Sequence, residues 1–63
     1  MDNVDLTSEL ARKIVSKTKE LLGITWDYDL SDVTSIEINK DYYDIYINDR
    51  ISASTSIKCV NPD

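Results

Sequence analysis

The chain has 63 residues, a net charge of −5 and a sequence pI near 4.4, with 41% hydrophobic and 30% charged residues. That length holds a single domain, residues 1–63, with a thin core, and that balance is globular rather than disordered. The absence of His and the single Cys exclude imidazole chemistry, an internal disulfide and a Cys/His zinc site, and the excess of acids over bases argues against direct binding to nucleic acid.

Residues 6–22 read as one amphipathic helix. Leu10, Ala11, Ile14, Val15, Thr18, Leu21 and Leu22 recur at helical spacing and make one apolar stripe. Asp5 or Thr7 is placed to cap the N-terminus, and Glu9 near the start and Lys17 and Lys19 near the end suit the helix dipole. Gly23, the only glycine, follows at the position where a helix commonly ends on a positive φ.

Beyond the helix the apolar period changes from 3.6 to 2. Trp26, Tyr28 and Leu30 alternate, so 24–30 reads as an extra strand or an extended arm. Three strands follow, over about 33–39, 42–48 and 51–60, rich in β-branched and aromatic residues. Their inward phase is Thr34, Ile36 and Ile38, then Tyr43, Ile45 and Ile47, then Ile51, Ala53, Thr55, Ile57 and Cys59. The expected fold is α+β, with one N-terminal helix packed on a three-stranded antiparallel meander, four-stranded if 24–30 joins. Ile14, Val15, Leu21, Ile36, Ile45 and Ile47 are expected in the core, and Cys59 as a buried thiol.

Phase also predicts register. A two-residue turn at Lys40-Asp41 pairs Ile38 with Tyr43 and sets Glu37 opposite Asp44 on the outer face. Keeping both Ile47 and Ile51 inward requires a three-residue loop, Asn48-Asp49-Arg50, which sets Tyr46 beside Ser52. The one helix covers one face of the sheet and leaves Tyr42, Asp44 and Tyr46 displayed on the other.

Charge is distributed unevenly. Met1–Thr25 holds four acids and four bases, whereas 27–49 holds seven acids against Lys40 alone, a net −6. Tyr offers broad contact area at little entropic cost, and like charges directly opposite on a sheet are destabilising, so stability alone would not favour the Glu37–Asp44 pair. Glu37, Asp41, Tyr42, Asp44, Tyr46 and Asp49 are therefore the candidate partner-binding residues, with Trp26, Asp27, Asp29 and Asp32 as a rim. No metal site is expected. Asp27–Asp32 superficially resembles a calcium loop, but its sixth position is Asp32 rather than Gly and its twelfth is Ile38 rather than Glu. No cofactor is expected, and no catalysis, because nothing activates Ser52, Ser54 or Ser56 as a nucleophile.

In size, in one helix with a small antiparallel sheet, and in acidity clustered at 27–49, the chain resembles the small acidic inhibitors that phages and mobile elements make against host defences. Anti-CRISPR proteins and uracil-DNA glycosylase inhibitors are examples. The resemblance implies an inhibitor whose partner is a larger protein with a basic, nucleic-acid-binding surface, such as a nuclease, and it carries over no site residue. The alternative is a homo-oligomeric adaptor, since a homodimer strengthens a thin core; an antitoxin-like or immunity-type protein would use similar acidic surfaces. A lone Cys and no signal-peptide pattern point to the cytoplasm, that of the host if the chain is phage-encoded, and no apolar run is long enough for a membrane span.

Overall fold

In a computed structural model, which describes residues 2–61, helix α1 spans Glu9–Leu22. Ser8 rather than Asp5 or Thr7 caps it, its hydroxyl accepting from the Ala11 N–H at 3.2 Å. Asp5 instead folds the preceding turn, accepting from the Thr7 N–H at 2.9 Å and the Thr7 hydroxyl at 2.7 Å. Those two bonds, the backbone one foremost, hold its carboxyl below the usual pKa. Gly23 ends the helix at φ 65°, its N–H donating to the Lys19 carbonyl. A Cβ there would meet nothing within 4 Å. Gly23→Ala should therefore cost only backbone strain, about 1 kcal/mol, seen as a lower urea midpoint with an unchanged slope.

Three antiparallel strands follow in the order β1 (Val33–Asn39), β2 (Tyr42–Ile47) and β3 (Arg50–Ser56), and a one-turn helix α2 covers Ile57–Val60. The fold is thus α+β, one N-terminal helix on a three-stranded antiparallel sheet. Residues 24–30 add no strand: Gly23–Thr25 and Leu30–Asp32 are 3-10 turns joined by an extended link. The extra pairing comes from the N-terminus. Asn3 bridges Glu37 antiparallel, with the Val4 N–H on the Ile36 carbonyl at 2.8 Å and the Ile38 N–H on the Asp2 carbonyl at 2.9 Å. That arm occupies the outer edge of β1.

Near its turn the first hairpin has the expected register, with Ile38 opposite Tyr43, Ile36 opposite Ile45 and Glu37 opposite Asp44, but a bulge at Thr34 breaks the alternation, so Val33 is buried opposite Ile47 and Thr34, expected inward, is exposed. The second does not. Its loop is the two-residue turn Asn48-Asp49, at φ 53° and 61°, which sets Ile47 opposite Arg50. Asn and Asp tolerate this left-handed geometry, and the tight turn matches the twist of the strands. The phase mismatch is absorbed one step later by a bulge, where Ile45 and Tyr46 face Ala53 and Ile51 and Ser52 is the extra residue. Ile51 consequently turns outward beside Tyr46, at 57% exposure, instead of entering the core.

The core gathers Ala11, Ile14 and Val15 of α1 against Val33, Ile36, Tyr43, Ile45 and Ala53 of the sheet, closed by Val4, Trp26 and Val60. Of the expected core residues, Ile14, Val15, Ile36 and Ile45 are buried and Ile47 is partly so. Leu21 is not. Thr18 is the last buried position of α1, and the final turn runs past the core, leaving Leu21 and Leu22 at the surface. Thr18 donates to the Ile14 carbonyl at 2.7 Å and so accepts from the Thr55 hydroxyl, which satisfies both buried oxygens where the helix crosses β3. Cys59 also departs from expectation. β3 stops at Ser56, whose hydroxyl caps α2 by accepting from the Lys58 N–H, and the thiol is exposed on that turn. Among the described residues no helix is long and apolar enough to cross a membrane.

Candidate functional site

β2 alternates, so Tyr43 and Ile45 point to α1 while Tyr42, Asp44 and Tyr46 point away. Ser35, Glu37 and Asn39 of β1 and Ile51, Ser54 and Ser56 of β3 flank them through the register. The core lies wholly on the α1 side, and the opposite face is left open, with Tyr42 at 51% exposure, Tyr46 half-buried and Ile51 well exposed. The bulge thus makes this face more apolar than its alternation predicts. Two rings and an aliphatic side chain ring its centre.

That centre is Asp44, and it is only 8% exposed. Ser54 Oγ donates to its Oδ1 at 2.8 Å and Asn39 Nδ2 to its Oδ2 at 3.3 Å. Glu37 lies directly opposite and is half-buried. Among the described residues neither carboxylate has a Lys or Arg within ion-pair distance, since the pairs present are Lys17–Glu20 and Lys19–Asp29. Two like charges share a shallow nest with neutral donors only, an arrangement that attracts a cation from outside. Asp44 is therefore part of the sheet's own bonding, not a free-standing carboxylate. Asp44→Lys should cost about 1–3 kcal/mol, because it removes two hydrogen bonds to a buried carboxylate and forces a long cation into a site only 8% exposed. Glu37→Lys should be neutral or slightly stabilising, since it makes a cross-strand pair with Asp44. Urea unfolding of the two variants checks both signs.

The remaining acids fall into two groups at opposite ends of the sheet. Asp41 sits in the first hairpin turn and is exposed, its carbonyl accepting from the Ile57 N–H at 2.8 Å. At the other end, Asp49 is exposed in the second turn, its N–H donating to Thr34 Oγ1 at 3.1 Å, beside the start of β1. Asp27, Asp29 and Asp32 are exposed in the link leading to β1. Lys19 Nζ donates to Asp29 Oδ1 at 2.7 Å, and Asp32 accepts from the Asp29 N–H at 3.0 Å. The Asp29 hydrogen bond first, and the charges of Asp29, Asp27 and Asp32 after it, raise the Lys19 pKa above its ordinary value.

Trp26 does not stand on that rim. It is 4% exposed, with Nε1 donating to Ser52 Oγ at 2.9 Å, so the bulge residue satisfies the indole. Tyr28 takes the outer place, 40% exposed and edge-on to Trp26 at 5.4 Å between ring centres. Tyr28, Ile47, Arg50 and Ile51 border an open groove of about 430 Å³ that joins the rim to the sheet face. The chain matches no protein-family model, no curated protein and no solved structure. Tyr28 and Ile51 are the site residues that alternation alone missed. The Asn48-Asp49 pair was the available signal for Ile51, because two residues tolerant of positive φ favour a two-residue turn over a three-residue loop.

Proposed function

We propose that the chain is a small acidic inhibitor that lays its open sheet face on a basic, nucleic-acid-binding surface of a larger cytoplasmic protein, in the anti-CRISPR or DNA-mimic manner, without catalysis. One observation carries this reading. Tyr42, Tyr46 and Ile51 surround the Glu37–Asp44 pair, which has no cation of its own among the described residues. A partner Arg arriving there meets the Glu37 carboxylate, backed by the buried Asp44 charge and flanked by two tyrosines, while Asp41 at one end and Asp27, Asp32 and Asp49 at the other extend the negative field along the sheet. Tagged protein recovered from a host lysate, with co-purifying proteins identified by mass spectrometry, finds the partner. Displacement of that partner's DNA or RNA by the pure chain then tests the mechanism. A homo-oligomeric adaptor, the other reading, would show no such displacement.

A further inference from the structure

The sheet has two edges, and the N-terminal arm covers the one on β1, where Ile36 and Ile38 turn their backbone groups to Val4 and Asp2. Alternation then gives Glu37 and Asn39 to β2 and, one strand on, joins Tyr43 to Thr55 and Ile45 to Ala53. The N–H and C=O of Ser54 and the N–H of Ser56 are left aimed outward from β3. Among the described residues only β2 is hydrogen-bonded to the backbone of Ile51–Thr55, and Ser52 and Ser54 are exposed. The bulge at Ser52 leaves Ala53–Ser56 regular, and from Ile51 to Ser56 the strand carries neither a charge nor a Pro to stop an edge from pairing. We infer that a second copy of this chain adds there, β3 against β3, antiparallel about a two-fold axis through Ser54.

Two properties of the strand select its own kind. The first is parity. Residues that exchange both hydrogen bonds across an antiparallel pair must each face the other strand, so outward Ser54 meets Ser54 of the second copy and Ser56 falls opposite Ser52. The second is charge, counted over the described residues at the two ends of β3. Around the Asn48-Asp49 turn lie Asp27, Asp29, Asp32 and Asp49 against Lys19 and Arg50. Around α2 lie Lys13, Lys17, Lys40 and Lys58 against Glu20 and Asp41. Asp2 stands apart on the arm beyond β1. Acids outnumber bases at the first end and bases outnumber acids at the second, and antiparallel pairing lays each end on the other. The Ile57 N–H holds the Asp41 backbone at the end of β3, which brings Asp41 of each copy toward Arg50 of the other. Directly opposite residues point the same way, so both tyrosine faces lie on one side of one continuous sheet.

Sedimentation velocity on the full chain from about 1 to 500 µM tests this, with Ser56→Pro as the edge variant and Ser56→Ala as its control. Both lose the hydroxyl that caps α2, but only Pro removes the outward N–H, and Ser56 already has the φ of −60° that Pro requires. The wild type should dimerise within that range, and Ser56→Pro should raise the dissociation constant at least about tenfold over Ser56→Ala. Arg50→Glu should weaken the dimer, and adding Asp41→Lys should restore it, which groups at opposite ends of one β3 can do only between copies. Circular dichroism verifies each fold. A wild type that stays monomeric throughout overturns the inference. So does a dimer in which Ser56→Pro matches Ser56→Ala, or one that Asp41→Lys fails to restore. The inference does not depend on the inhibitor reading: a monomer that displaces nucleic acid overturns this contact alone, and a dimer that displaces none overturns that reading alone.

Discussion

Ile45→Ala should leave much of the protein unfolded at ambient temperature. Ile45 is fully buried in the central strand, opposite Ile36 on one side and Ala53 on the other, beneath α1. Removing three carbons from such a site loses transfer energy and opens a cavity, about 2–5 kcal/mol together. A chain of 63 residues has roughly 3–9 kcal/mol in all at ordinary stability per residue. The loss is therefore a large fraction of the total. The core has little means of closing the gap, because Ile14, Ile36 and Ala53 sit on elements already bound to each other through ladders and the Thr18–Thr55 bond. Urea unfolding followed by circular dichroism should show the midpoint falling toward zero denaturant. Ile51→Ala, one strand away but exposed, should change stability by less than about 0.5 kcal/mol. Equal effects at the two positions would mean that Ile51 faces the core and that the bulge at Ser52 is misplaced.

Binding to the proposed partner should divide into two kinds of loss. Glu37→Lys with Asp49→Lys removes negative charge from the face and from one end of it without touching the buried core. Association should slow by about tenfold or more, and the dependence of its rate on salt should flatten, because steering acts over a Debye length. Tyr42→Ala should instead act on dissociation. The ring is half-exposed, stands on the rigid central strand and has the interface-anchor character of tyrosine, so a cost of about 2 kcal/mol, near 30-fold in affinity, is expected. Lys13→Glu on α1 serves as control, because it lies across the sheet from the site, and it should change neither rate beyond a small field effect. Stopped-flow association at several salt concentrations, with competition against the partner's nucleic acid, reads both losses. Full activity in the Glu37/Asp49 variant and lost activity in Lys13→Glu would move the site to the helix. Substitution of Asp44 would mix binding with stability, because its carboxylate is bonded to Ser54 and Asn39.

How much of this was legible in advance follows from the range of the interactions concerned. The helix is announced by its own apolar period and by Gly23, and the strands by alternation of β-branched and aromatic residues, all decided within a few residues of chain. The first hairpin is equally local: a two-residue turn between phased strands leaves one register, which brings Glu37 opposite Asp44. The open outer face follows from counting, since one helix covers one side of a sheet.

Tertiary structure alone decided the rest, because those features depend on what arrives from far along the chain. Leu21 belongs to the helical stripe by period, but burial along α1 stops at Thr18, so Leu21 is a surface residue. Ser52 leaves the strand phase where its hydroxyl meets the Trp26 indole, 26 residues away, and that bulge turns Ile51 to the tyrosine face. Asp44 reads as an exposed acid in sequence, and only the cross-strand arrival of Ser54 and the reach of Asn39 bury it. Strand β3 could have run on through Cys59 by alternation. It stops because Ser56 caps a turn of helix whose Val60 closes the core against α1. Period reports which side of an element is apolar; packing decides how far along the element that side is used.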